Sequence, residues 1–148
     1  MQHSATDISA ILAKADIKPS VQRIAVLRYL LENRCHPTVD DIYRSLSVEM
    51  PSLSRTTVYN TLWLLAERGA ILSLDIERGN THFDYAECPH AHFRCNKCGA
   101  IYDIPLTHTC VGLSDARFHV DSINVYYTGT CKKCFNPNSK IKIQNNQH

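Results

Sequence analysis

The chain has 148 residues, with 16 Lys and Arg against 14 Asp and Glu, a net charge of +2, and 44% hydrophobic residues. That length holds one ordinary domain or two small ones, and two small cores need a staple such as a structural metal. No apolar run is long enough to span a bilayer, MQHSATDISAILAKADIKP lacks the features of a secretory signal, and the near-balanced charge gives no bulk signal for nucleic acid; a cytoplasmic protein is expected.

Four helices are predicted first. Thr6 or Asp7 can cap a short one through Lys14, and Ser20 a longer one, VQRIAVLRYLLENR, on which Val21, Ile24, Leu27 and Leu31 share a face. HPTVDDIYRSL supplies the third, with Thr38 as N-cap and Asp40 and Asp41 in the first turn, where carboxylates suit the helix dipole; Pro51 ends that unit. SRTTVYNTLWLLAERG, starting at Ser54, is the fourth. Val58, Leu62 and Leu65 form its core stripe and Gly69 its C-cap, while Arg55, Thr56, Tyr59 and Asn60 lie on an outward polar-aromatic side. AILSLDI and THFDYA then read as two strands around the turn ERGN, and helices followed by such a hairpin are the order of a winged helix-turn-helix. After residue 90 the pattern changes to short strands, HFRC, AIYDI and INVYYTGTC, joined by Cys-rich knuckles. PLTHTCVGLSDARF has room for at most a short helix, and the polar stretch from Asn136 is expected to be a flexible tail.

Four of the seven Cys form two matched pairs: CNKC at Cys95 and Cys98, and CKKC at Cys131 and Cys134. A CxxC knuckle presents two thiolates to one ion, and two knuckles complete a tetrahedral Zn site; a redox pair is the competing reading. A site filled by four sulfurs has no use for His90 and His92. An HxH on an extended segment turns both imidazoles to one face, which suits a second metal, although two surface His by chance would look the same.

With HPTVDDIY, SRTTVYNTL, HFDY, HAHFRCNKCGAIYDI and TGTCKKC in view, the chain resembles the ferric uptake regulator family of metal-dependent repressors up to Cys134. The resemblance implies an α+β fold: a winged-helix DNA-binding domain and hinge over 1–84, a small α/β dimerisation and metal-binding domain over 85–136, and the tail 137–148. It makes Cys95, Cys98, Cys131 and Cys134 ligands of structural Zn2+, in agreement with their spacing. It makes His36, Asp84, His90, His92 and Asp103 a regulatory site, whose mixed N/O shell suits Fe2+ or Mn2+. The implied activity is that of a homodimeric repressor, not an enzyme, in which metal closes the two domains over the halves of an inverted-repeat operator in double-stranded DNA. Asp at both carboxylate positions is similar to the peroxide-sensing branch, in which oxidation of His36 or His90 would release the metal. The alternative is an iron-sufficiency regulator using the same ligands without oxidation. A haem-responsive regulator through Cys88-Pro89, or a metalloenzyme, ranks behind both.

The chain departs from the family in three places: Val21 stands in SVQR where Pro is usual, Ile123 stands where many members have the His of a further metal site, and the segment from Asp103 to Cys131 is short. On the recognition helix, Arg55 and Asn60 are placed to reach bases or phosphates, Tyr59 a thymine methyl, and Thr56 and Thr57 phosphate. Lys14, Lys18, Arg23 and Arg78 are further phosphate candidates, or merely solvated. Cys35 reads as a small core residue, and His82, two residues before Asp84 and so on the same strand face, is no more than an outside candidate for a substitute ligand.

Overall fold

The computed structural model describes residues 5–85, 90–106, 117–120 and 122–135. Four helices come first: α1 (Ala5–Lys14), α2 (Val21–Glu32), α3 (Val39–Glu49) and α4 (Arg55–Glu67). Ser20, Thr38 and Ser54 cap α2, α3 and α4 as expected, each accepting a backbone N–H from three residues on. At Thr38 the cap is reciprocal, because Asp41 accepts the Thr38 N–H at 2.9 Å and its hydroxyl at 2.7 Å. Helix α4 stops where Gly69 turns left-handed, at a φ of 69°. There the Gly69 and Ala70 amides bond back to the carbonyls of Ala66 and Leu65.

The helices enclose a core in which Ile8, Leu12, Leu27, Leu30, Ile42, Val58, Leu62 and Leu65 are fully buried or nearly so. One expectation fails on α2. Its buried residues are Val26, Leu27, Leu30 and Leu31, whereas Val21 is 72% exposed. Position 21 is the first residue of the helix, beyond the reach of the core, so periodicity alone misplaced it.

Strands β1 (Leu72–Glu77) and β2 (Asn80–Asp84) form the expected antiparallel hairpin, with Gly79 at a φ of 83° in its turn. The segment before α3 adds an edge to it: Thr38 bridges His82, and the Phe83 amide donates to the Pro37 carbonyl at 2.9 Å. That edge carries His36 to the end of β2, where Asp84 lies.

A second sheet has the order β4-β3-β5, built from β3 (His90–Cys95), β4 (Ile101–Pro105) and β5 (Tyr126–Gly129). Strand β3 runs antiparallel to β4 and parallel to β5. It starts two residues before HFRC, and β5 is shorter than INVYYTGTC. Most of PLTHTCVGLSDARF, the Cys88-Pro89 dipeptide and the tail lie outside the described residues. Among the described residues, no helix is long and apolar enough to cross a membrane.

Candidate metal centres

The two Cys knuckles meet at one end of the second sheet. Gly99 permits the first turn with a φ of 74°, and its amide donates to the Cys95 carbonyl; the Cys134 amide closes the second turn on the Cys131 carbonyl. The sulfurs of Cys95, Cys98, Cys131 and Cys134 all lie within 4.8 Å of one another. Cys98 and Cys131 are separated by 3.8 Å, Sγ to Sγ. This is the edge of a tetrahedron with Zn–S bonds of about 2.3 Å, and nearly twice a disulfide bond of about 2.05 Å. The four residues therefore fit a closed Zn site and not a redox disulfide. Backbone amides, first that of Cys131 at 3.3 Å, pull the Cys95 thiol down to about 6. Hydrogen bonds to Cys98 and Cys131 hold a proton on Cys134 and push it to about 12. One sulfur thus ionises early and another late, and a divalent cation would take the place of those protons.

Tyr102 belongs to this centre and escaped the sequence. Its hydroxyl donates to the Cys131 sulfur, which holds that thiol below its usual value and pushes the phenol up to about 12. Only the pairing of β3 with β4 and the return of the chain at Cys131 bring the two together.

The second cluster is assembled from three directions. Strand alternation puts His90 and His92 on one face of β3, and register sets Asp103 of β4 directly opposite His92. Asp84 comes from the end of β2, and His36 from the turn before α3, where its own φ is 52°, a conformation uncommon for a residue other than Gly. One donor atom from each of the five lies within 4.8 Å of all the others. The Nε2 atom of His36 is 2.6 Å from Asp103 Oδ1, and that of His90 is 3.0 Å from Asp84 Oδ2 and 3.2 Å from Asp103 Oδ1. His92 Nε2 stands 3.4 Å from Asp84 Oδ2 and 3.5 Å from Asp103 Oδ1. The His90 contacts fall outside hydrogen-bonding geometry. Only the His36–Asp103 and His92–Asp84 pairs meet that geometry, and five donor atoms crowded about one point fit a shared cation.

Burial alone would raise the Asp84 carboxyl, its largest influence, but the hydrogen bond with His92 and the charges of His36, His90 and His92 outweigh it and leave the group below its usual value. His36, Asp84 and His92 are buried, His90 is half-buried, and the Asp103 side chain is 46% exposed. Asp103 is therefore the solvent-facing lip of the site.

His82 is not among the converging atoms. It sits behind them, with Nδ1 2.6 Å from the His36 carbonyl and Nε2 2.8 Å from Glu77 Oε2. Facing a carbonyl on one side and a carboxylate on the other, the ring donates from both nitrogens. Cys35 is also misplaced as a core residue: it is exposed, and partial desolvation followed by the charge of Asp41 pushes its thiol up.

On the outer side of α4, Arg55, Thr56, Tyr59 and Asn60 are exposed. The Arg55 guanidinium is held in a fork by Asp40 of α3. Tyr59 packs edge-on against Trp63, and Trp63 against buried Phe83 of the hairpin, with ring centroids 6.2 Å and 5.7 Å apart. Thr57 is half-buried and shares its hydroxyl with Ser54 at 2.8 Å, so it serves the helix cap. Lys18 and Arg23 line an open groove with Thr57 and Asn60 beside the start of α2.

The model of the ferric uptake regulator family matches residues 14–125. The peroxide-responsive repressor PerR of Staphylococcus aureus is 33% identical over 138 residues, which cover 90% of this chain and 93% of that protein. Among solved structures, the Campylobacter jejuni peroxide stress regulator is 28% identical with a TM-score of 0.59, covering 89% of this chain and 99% of that one. The Helicobacter pylori ferric uptake regulator Fur shares the fold with a TM-score of 0.69 at 20% identity, covering 93% and 98%.

Proposed function

The chain belongs to the ferric uptake regulator family, and we propose that within it the protein is a cytoplasmic, homodimeric repressor that senses peroxide at the His/Asp centre. It is a metal-responsive regulator and not an enzyme, as the members of this family are. The observation that carries the proposal is the convergence of His36, Asp84, His90, His92 and Asp103 from the helical half, the hairpin and the second sheet onto one point. Both carboxylates are Asp, and the curated relatives at 33% identity are peroxide-responsive repressors.

Bound Fe(II) would supply the electron that splits the peroxide O–O bond, whereas Mn(II) would satisfy the same ligands without that reactivity. The protein's own part is positional. The hairpin edge fixes His36 and Asp84, the β3–β4 pair fixes His90, His92 and Asp103, and occupancy favours the arrangement in which these elements stay together. Exposure at Asp103 leaves a way in for a small oxidant, next to His36 and His90, each within 3.2 Å of its carboxylate. Cys95, Cys98, Cys131 and Cys134 hold structural Zn and keep the second sheet folded. Exposed Ile104 and Tyr127 on β4 and β5 give that sheet an apolar outer surface for a second copy of the chain.

On DNA, Arg55, Thr56, Tyr59 and Asn60 face the major groove, Thr57 orders the helix start, and Lys18 and Arg23 reach phosphate. Two copies would read the halves of an inverted repeat. Fluorescence anisotropy on the protein's own upstream DNA tests the proposal: Fe(II)-loaded and Mn(II)-loaded protein should both bind, and micromolar peroxide should release only the Fe(II) form. Release that follows metal removal alone, with peroxide inert, would make the protein an iron-sufficiency regulator.

A further inference from the structure

Three charged or polar side chains, none of them in either ligand set, form one continuous line between the hairpin and the second sheet. Arg94 Nη2 donates to Glu77 Oε1 at 2.8 Å. The other Glu77 oxygen accepts from His82 Nε2 at 2.8 Å, and His82 Nδ1 donates to the His36 carbonyl at 2.6 Å. The side chains are 21%, 29% and 13% exposed in that order, so all are largely withdrawn from water. Both neighbours pull the Glu77 carboxyl down, His82 more than Arg94, so the central member is a carboxylate.

The ends of this line matter. Arg94 is two residues past His92 on β3, hence on the same face as His90 and His92. His82 is two residues before Asp84 on β2. The His36 carbonyl belongs to a residue held at a φ of 52°, which L side chains seldom adopt. The line therefore joins the three separate elements that carry His36, Asp84 and the two His of β3, and its last hydrogen bond grips the backbone that aims His36 into the cluster.

We infer that Arg94, Glu77 and His82 are positioning residues for the regulatory metal: a relay of hydrogen bonds that fastens the hairpin to the second sheet and holds His36 in its left-handed turn before a metal arrives. The inference rests on the proposed regulatory site. With the relay intact, part of the ordering that metal binding requires is already in place, so affinity is higher than the ligands alone would give. Breaking it anywhere should have the same consequence, because a line fails as a unit.

Mn(II) titration of zinc-replete protein, with free Mn(II) read by its EPR signal, tests this. Glu77→Ala and Arg94→Ala should each weaken Mn(II) binding about tenfold, the scale seen when groups that orient metal ligands are removed. The double variant should be no weaker than either single one. Arg94→Lys, which keeps the charge and loses the planar guanidinium, should recover part of the loss, and zinc content should stay at the wild-type value throughout. If Glu77→Ala does not fold, Glu77→Gln serves, since it keeps the shape and removes the charge. Asp84→Asn, run in parallel, must abolish binding. Wild-type affinity in Asp84→Asn would overturn the site and the relay together. Lost binding in Asp84→Asn with unchanged affinity in the relay variants, or losses that add in the double variant, would overturn the relay alone.

Discussion

Replacing Phe83 with Ala should unsettle the protein more than its place in a two-stranded hairpin suggests. Phe83 is fully buried and its ring packs edge-on against Trp63 of α4. A buried aromatic side chain withdraws about 150–250 Å2 from water, and at about 25 cal/mol per Å2 the ring beyond Cβ is worth about 3–5 kcal/mol, the range measured for Phe→Ala in cores. The backbone bond from the Phe83 amide to Pro37 survives the change, so the loss comes from packing alone. Because the chain has a single Trp, urea unfolding followed by its fluorescence reads the right place. The midpoint should fall by about 2 M for a slope near 2 kcal/mol/M, and the native emission should shift to the red as Trp63 gains solvent. A loss under about 1.5 kcal/mol, with native emission unchanged, would refute the claim that this ring joins hairpin and helix in one core.

Other consequences can be checked as directly. Thr38→Ala removes one side of the reciprocal cap and should cost about 1 kcal/mol of stability, read in the same urea assay. The Asp41 carboxyl is held low, first by the Thr38 amide and then by its hydroxyl. Its contribution is thus complete above the ordinary carboxylate value and fades as pH falls through the depressed one, so wild type and Asp41→Asn should converge in stability only in acid. Tyr102→Phe deletes the donor that keeps the Cys131 thiol low. Protons should then compete better for that sulfur, and acid-induced zinc release, followed with a chromogenic chelator, should begin at higher pH than in wild type. Arg55→Ala should weaken operator binding at least about fivefold if the guanidinium reads a base, whereas Asp40→Asn, which frees the same group from its fork, should change sequence preference more than affinity.

What the sequence made legible was local. The caps at Ser20, Thr38 and Ser54, the Cys knuckles and the one-faced His pair depend on neighbours within four residues, and all are where their spacing places them. The edge contact between Pro37 and Phe83, the opposition of Asp103 to His92 and the Tyr102–Cys131 bond depend on pairings set by the fold, which single-chain periodicity cannot reach. His82 shows the limit most clearly. Alternation correctly set it on the face of Asp84, but nothing local could show that the His36 carbonyl and Glu77 would claim both of its nitrogens. Val21 failed for a related reason: periodicity gives a helix face, and only packing shows how far along the helix the core extends.

On the proposed function, the His/Asp centre converts peroxide into loss of DNA binding. Peptide mass spectrometry on anaerobically Fe(II)-loaded protein after brief peroxide, beside a Mn(II)-loaded control and with operator binding followed in parallel, tests it most directly. One added oxygen is expected on the peptide carrying His36 or His90, in the Fe(II) sample alone, together with release from the operator. Unmodified His peptides, with DNA binding that only follows metal occupancy, would contradict it.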